Sequence, residues 1–330
     1  MKRRQALAVL IAGSAFGAFA QDSRSNTWSP NKPVRIIVPF GPGGASDNVA
    51  RMLSAPLAEE LGTAVVIDNR AGAAGNIGME MAAKSTPDGY TVFLGNISTN
   101  AINQWTYADQ LKVSPLRDLI PVSMVATVPS VLVSSARFPA STVKELVEHV
   151  RKNPGKVNHT SAGAGSYAMI DMLELEKATG LSMTHVPYKG GAGQFINGLV
   201  AGDVDLAFTN VSSVSELVKA GRLKALAVTS QARLPELPTV PTMAEAGYPG
   251  IGTDAWQGIF VPAGTPVSVV DRLQEAVKKV MQQPTVRDSL TKRSIVPAPS
   301  QNSAEFATFV SVETTRWEQI VKAHKATLAN

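Results

Sequence analysis

The chain has 330 residues, 44% of them hydrophobic and 17% charged, which suits a folded protein with a sizeable core and excludes a disordered chain. Three of its 31 basic residues (Lys2, Arg3 and Arg4) and none of its 26 acidic ones lie in residues 1–20, so beyond that point 28 basic residues face 26 acidic ones. That +2 balance, without a basic run carrying interleaved aromatics, gives no support to nucleic-acid binding.

Residues 1–20 read as a secretory signal: a basic start, an apolar run from Ala6 to Phe19, and Ala18-Phe19-Ala20 before Gln21. The run is too short for a membrane span, and Arg3-Arg4 is a poor match to a twin-arginine signal. Cysteine is absent, so neither a disulfide nor a lipidated cysteine is expected. These features predict a soluble protein of a bacterial periplasm, stable through its core alone.

After a polar segment to Asn31, strands and helices alternate. The spacing predicts a strand at Val34–Val38 and then a helix carrying Val49, Met52, Leu53 and Leu57, ending near Gly62 and kinked or broken at Pro56. A second strand at 64–68, a glycine turn Asn69-Arg-Ala-Gly-Ala-Ala-Gly-Asn-Ile-Gly78, a helix at 79–84 and a third strand at 90–94 complete a βαβαβ series. Such a series predicts a parallel sheet with right-handed crossovers and helices on both faces.

A weakly periodic connection through Trp105 and Leu116 leads to an extended apolar stretch, 121–134. Thr142-Val-Lys-Glu145 is a capping box for a helix with Leu146, Val147 and Val150, stopped by Asn153-Pro-Gly155. A second α/β series follows. It has a strand near 157–159, the turn Ser161-Ala-Gly-Ala-Gly-Ser166, a helix from Tyr167 to Thr179 closed by Gly180, and strands at 183–186, 204–208 and 225–228. Helical stretches begin near Ala192 and Ser213. After a Pro/Gly-punctuated run, 234–252, Thr265-Pro266 predicts a helix start. Val269, Val270, Leu273, Ala276, Val277 and Val280 supply that helix's apolar face, and Pro284 its end. A last helix carries Phe306, Phe309, Val310, Trp317, Ile320 and Val321 towards a core.

The chemistry lies in the glycine turns. Val34–Val38 runs into Gly41, Gly43 and Gly44 and then into Ser46 and Asp47 at a helix start. Glycines let successive N–H groups face one concavity, and a helix N-terminus adds its positive dipole end, so the turn makes an anion site without a basic side chain. The second series repeats the device at 161–166. Two such turns at the carboxyl ends of strands predict a cleft that clamps a small anion from both sides.

Other chemistries fit poorly. Ser46 stands where a dinucleotide-binding turn needs its third glycine, and no Walker lysine follows either turn. Gly163-Ala-Gly-Ser166 is not a nucleophile elbow. The four histidines are scattered, His149 and His324 being expected on exposed helix surfaces and His185 packed in a strand. Asp47 is expected to cap its own helix, and Lys189 and Arg70 to lie at a solvated rim. No cofactor and no metal are expected.

Several stretches together resemble the solute receptors of tripartite tricarboxylate transporters, the Bug family. They are Pro39-Phe-Gly-Pro-Gly-Gly-Ala-Ser-Asp47, the turn 69–78, Pro87-Asp-Gly-Tyr90, His185-Val-Pro-Tyr-Lys-Gly-Gly191, Gly202-Asp-Val-Asp-Leu206, Leu226-Ala-Val-Thr-Ser230 and Pro241-Thr-Met-Ala-Glu-Ala-Gly247. The resemblance implies an α/β fold of the type II periplasmic binding protein kind, with two doubly wound domains and a ligand cleft between them. It divides the chain into domain 1 (28–126 with 252–330) and domain 2 (127–251), with hinge crossings expected at 124–131 and 252–258. It implies a monomeric receptor, not an enzyme, that closes on a small carboxylate: a di- or tricarboxylate, an acidic amino acid or an aromatic acid. Membrane permease subunits, or a sensor protein, are the implied partners. Carried onto this chain, the ligand contacts are Phe40, Gly43, Gly44, Ala45, Ser46 and Asp47 from the first loop and Ser161, Gly163, Gly165 and Ser166 from the second. Ser98, Thr99, Tyr188 and Asn210 are further lining. Many relatives have Phe-Asp-Asn where this chain reads Phe208-Thr-Asn210, which weakens the case for a ligand amine there. An exported α/β enzyme acting on a small acid is the alternative reading.

Overall fold

The computed structural model describes residues 28–163 and 165–324, and the expected signal at 1–20 lies outside them. The first series forms as its periodicity dictates. β1 (Val34–Val38) turns into α1 (Ala45–Leu61), followed by β2 (Val65–Asn69), α2 (Asn76–Ala83) and β3 (Thr91–Asn96). β1 pairs in parallel with both β2 and β3. Alternate strand residues go to opposite faces: Ile36 joins the core under α1, while Ile37 joins the core on the other side of the sheet.

Short helical turns then lead into β4 (Leu119–Val128), and Pro129 separates it from β5 (Ser130–Ser135). The stretch read as one extended run is thus two strands, in two different sheets. Proline has no N–H to give a ladder, which suits the break. The second series runs through α3 (Val143–Lys152), β6 (Asn158–Ser161), α4 (Tyr167–Thr179) and β7 (Thr184–Pro187). It continues with α5 (Ala192–Ala201), β8 (Leu206–Asn210), α6 (Val211–Lys219) and β9 (Leu223–Val228). The chain returns to the first sheet with β10 (Ala255–Pro262). α7 (Val267–Gln282), α8 (Pro284–Thr291), β11 (Val296–Pro297) and α9 (Ser303–Ala323) finish it.

The strand orders are β11-β4-β10-β3-β1-β2 and β7-β6-β8-β5-β9. Neither sheet is wholly parallel. β10 runs antiparallel to β3 and β4, and β5 antiparallel to β8 and β9. Parallel neighbours need a crossover helix within one sheet, and the strands that arrive from the other lobe have none. Each sheet has a core on both faces, so the molecule is a two-lobed α/β protein with four separate hydrophobic clusters.

Three local expectations change. α1 is not broken at Pro56, because burial of Leu53, Leu57 and Leu61 on either side offsets the proline's lost backbone bond and ring clash, together about 3 kcal/mol. α7 starts one residue later than expected: Pro266 is its N-cap, and the Thr265 hydroxyl donates to the Pro262 carbonyl instead of capping the helix. The capping box at α3 forms with Glu145 N–H donating to Thr142 Oγ1, but the Glu145 carboxylate accepts from Ser141 N–H.

Candidate functional site: a cavity walled by helix N-termini

Four helices begin at one cavity between the lobes. Gly44 caps α1, Ser166 caps α4, Gly191 caps α5 and Asn210 caps α6, and none of the four caps uses its side chain to satisfy a first-turn amide. The opening N–H groups of a helix have no partner four residues back inside it. That of Tyr167 donates to Ser98 Oγ and that of Val211 to the Pro129 carbonyl, while those of Ala45 and Ser46 have no partner among the described residues. Each helix also brings a positive dipole end of roughly half an elementary charge. The wall contains Phe40, Gly44, Ala45 and Ser46 from the first loop, Asn96, Ser98 and Gln257 from the first lobe's strands and turns, and Ser166, Thr209 and Asn210 from the second lobe. Phe195, Phe208 and Tyr167 give it apolar sides. The cavity volume is about 50 Å³, so the lobes leave only a narrow space between these walls.

Among the described residues, none that line the cavity carries a charge. The polar side chains are instead fixed to one another. Ser46 Oγ donates to Gln257 Oε1 at 2.8 Å, and Asn96 Nδ2 donates to Ser46 Oγ at 3.2 Å. Asn96 Oδ1 accepts from Thr99 N–H, and Asn210 Oδ1 accepts from the Tyr167 hydroxyl at 2.8 Å. Asn210 Nδ2 donates to the Val128 carbonyl beside the crossing between sheets. Burial pushes the Tyr167 pKa up, which keeps it a neutral donor. Ser166 Oγ is buried and has no partner among the described residues.

Of the expected contacts, Phe40, Gly44, Ala45, Ser46, Ser98, Ser166 and Asn210 line this cavity. The others do not. Asp47 turns back on its own loop: one carboxylate oxygen accepts from Gly43 N–H at 3.0 Å and Arg51 Nε at 2.9 Å, the other from Asn69 Nδ2. Burial pushes its pKa up, but the bonds from Arg51, the Gly43 amide and Asn69 outweigh this and hold it below the usual carboxylate range. Gly43 adopts φ +85 and borders an outer groove. Thr99 is buried behind Asn96 and Asn100. Gly163 and Gly165 press against the first lobe, where a Cβ on Gly163 would lie 3.5 Å from Tyr107 Oη and one on Gly165 2.5 Å from Thr106 Cβ. Tyr188 packs over Gly198, and Ser161 bonds to its own loop and to His185.

Sequence reasoning missed Asn96, Gln257, Tyr167, Phe195, Phe208 and Thr209, together with Ala162, Ala168 and Ala192. Asn96 and Gln257 did carry a signal, since each is the one side-chain amide in a strand that is buried throughout.

The histidines sit apart from the cavity. His159 and His185 stack with ring centroids 4.9 Å apart, and His185 Nε2 lies 2.8 Å from Ser161 Oγ. Burial lowers their pKa values to about 3, helped by the charge of His185, and about 4 respectively. The serine is bound to both the N–H and the carbonyl of Gly163, so the pair ties down the loop. His324 corrects an expectation: it is buried against the second lobe, its Nε2 bonded to Glu174, because the end of α9 crosses onto α4. His149 is partly covered by Phe138.

Residues 49–326 match the family model described as "Tripartite tricarboxylate transporter family receptor". Protein BugT of Bordetella pertussis is 33% identical over 99% of this chain and 100% of its own. Two solved structures from Rhodopseudomonas palustris are each 33% identical. MatC with bound malate has a TM-score of 0.82 and covers 88% of this chain and 99% of its own. Rpa4515 with adipate has a TM-score of 0.85 and covers 89% of this chain and 97% of its own. With that match over most of its length and the two-lobed fold that carries it, the chain belongs to the tripartite tricarboxylate transporter receptors of the Bug type, a family of periplasmic solute-binding proteins.

Proposed function

We propose that this receptor captures a small carboxylate in the cavity between its lobes and delivers it to membrane permease subunits. One observation carries the reading: four helix N-termini, each with its positive dipole end, meet at a wall that holds no charged side chain among the described residues. Such a wall favours a compact anion through backbone donors and needs no metal. That MatC and Rpa4515 were solved with malate and adipate supports carboxylate as the chemical class. The first loop and the 161–166 loop act from opposite sides, each belonging to a unit that moves as one: residues 28–126 with 252–330, and residues 127–251. Phe40, Gly43, Gly44, Ala45 and Ser46, with Ser98, Ser166 and Asn210, set the binding geometry, directly or by shaping the loops.

Capture without turnover is the reading favoured by the wall's chemistry. The nearest base beside a serine is His185, whose serine is committed to the Gly163 loop. A thermal-shift panel of mono-, di- and tricarboxylates, with and without a chelator, tests the proposal. At least one acid is expected to stabilise the protein unchanged by chelator and to be recovered intact after overnight incubation. No stabilisation by any acid, or loss of the acid, would overturn it.

A further inference from the structure

We propose that the cavity selects carboxylates that lack an amino group, and that Thr209 is the wall position that sets this selection. The inference rests on the carboxylate reading and narrows it. An ammonium group needs a carboxylate or a set of free acceptor oxygens, because burying it unpaired is costly. The wall holds no carboxylate among the described residues. Its three side-chain amide oxygens each already accept one hydrogen bond: Asn96 Oδ1 from Thr99 N–H, Gln257 Oε1 from the Ser46 hydroxyl, and Asn210 Oδ1 from the Tyr167 hydroxyl. The carboxylate nearest in sequence, Asp47, points into its own loop, with both oxygens taken by Gly43, Arg51 and Asn69. Asp171, buried on α4, faces Thr253 on the returning segment and borders a separate groove between α4 and α9.

What remains in the wall brings no negative charge. Four helix N-termini present positive ends, and the orphaned Ser166 hydroxyl is free to donate to an anion. A ligand ammonium would meet these ends without a carboxylate to pair with. Thr209 is 2% exposed, lies on β8 between Phe208 and the α6 cap, and lines the cavity. A carboxylate at that position would supply the missing counter-charge within the wall.

Calorimetry on matched acids tests this: succinate against aspartate, glutarate against glutamate, propionate against alanine, and 3-phenylpropionate against phenylalanine. In any pair whose deaminated member binds, the amino acid is expected to bind at least 100-fold more weakly. Thr209→Asp should narrow that ratio at least tenfold by weakening the deaminated acid, whereas Thr209→Asn should leave the ratio in place. Circular dichroism checks the fold of both variants, and the wild-type ratios decide the matter if Thr209→Asp does not fold. An amino acid binding within threefold of its partner overturns the selection while leaving the carboxylate reading intact. An unchanged ratio in a folded Thr209→Asp overturns the role of Thr209. Binding by no acid in any pair overturns both readings together.

Discussion

The amide of Gly41 donates to the carbonyl of Gly190 across the cleft, at 3.3 Å, so the first glycine loop and the 187–191 turn of the opposite lobe touch backbone to backbone. The approach depends on missing side chains. A Cβ on Gly41 would lie 2.9 Å from Gly190 O, and one on Gly193 would lie 2.1 Å from Pro42 O. Asn48 reinforces the contact by donating to the Ser212 carbonyl. The rims of the two lobes are therefore engaged around the cavity.

Gly193→Ala should separate closure from folding. Within α5 an alanine is favoured over glycine by about 1 kcal/mol. The obstacle it meets, the Pro42 carbonyl, belongs to the other lobe. We expect the unliganded variant to melt at or above the wild-type temperature while its affinity for the captured acid falls at least tenfold. Differential scanning calorimetry and titration calorimetry on the same sample check the two signs.

Ser46→Ala should cost stability as well as binding. The hydroxyl joins Gln257 and Asn96, which are 1% and 4% exposed, and its loss leaves Gln257 Oε1 without its donor. An unsatisfied buried group costs about 1–3 kcal/mol, and urea unfolding of the unliganded protein should show a loss in that range.

Much of this was legible in the chain. α4 begins and ends where its pattern and Gly180 put it, and the apolar face read for α7 is buried throughout. The first glycine loop could be located because strand, turn and helix start are contiguous. The cavity as a whole could not, since it is assembled from segments far apart: Ser46 and Gln257 are 211 residues from each other and meet only when β10 slots between β3 and β4. Sheet direction escaped for the same reason, because β10 arrives from the other lobe. The position of Asp47 at a helix start is compatible with facing a ligand or its own loop, and in the structure its carboxylate accepts from Gly43 N–H, four residues back.

The stacked histidines should make the second lobe sensitive to acid. Free histidine titrates near 6.5, whereas burial lowers His159 to about 3 and His185 to about 4. Between these values the unfolded chain binds more protons than the folded one, so this contribution is complete above 6.5 and is lost as pH falls towards 4 and then 3. His159→Phe, which keeps the stacking, should flatten the fall in unfolding free energy between pH 6.5 and 4 relative to wild type. An equally steep fall in the variant would assign the acid sensitivity to other groups. Asp171 runs the other way: burial raises its pKa to about 7, so its contribution is lost as pH rises through that value.

Closure around a ligand is the central claim, because a membrane partner can distinguish loaded from empty receptor only by a difference in shape or dynamics. The two passages between sheets, at Pro129 and in residues 229–254, are the places where such a motion would turn. Small-angle scattering on protein stripped of ligand, then saturated with the tightest acid from the thermal-shift panel, tests the claim most directly. The account predicts a smaller radius of gyration on saturation in the wild type and no such compaction in Gly193→Ala. An unchanged radius in the wild type at saturating ligand would contradict it.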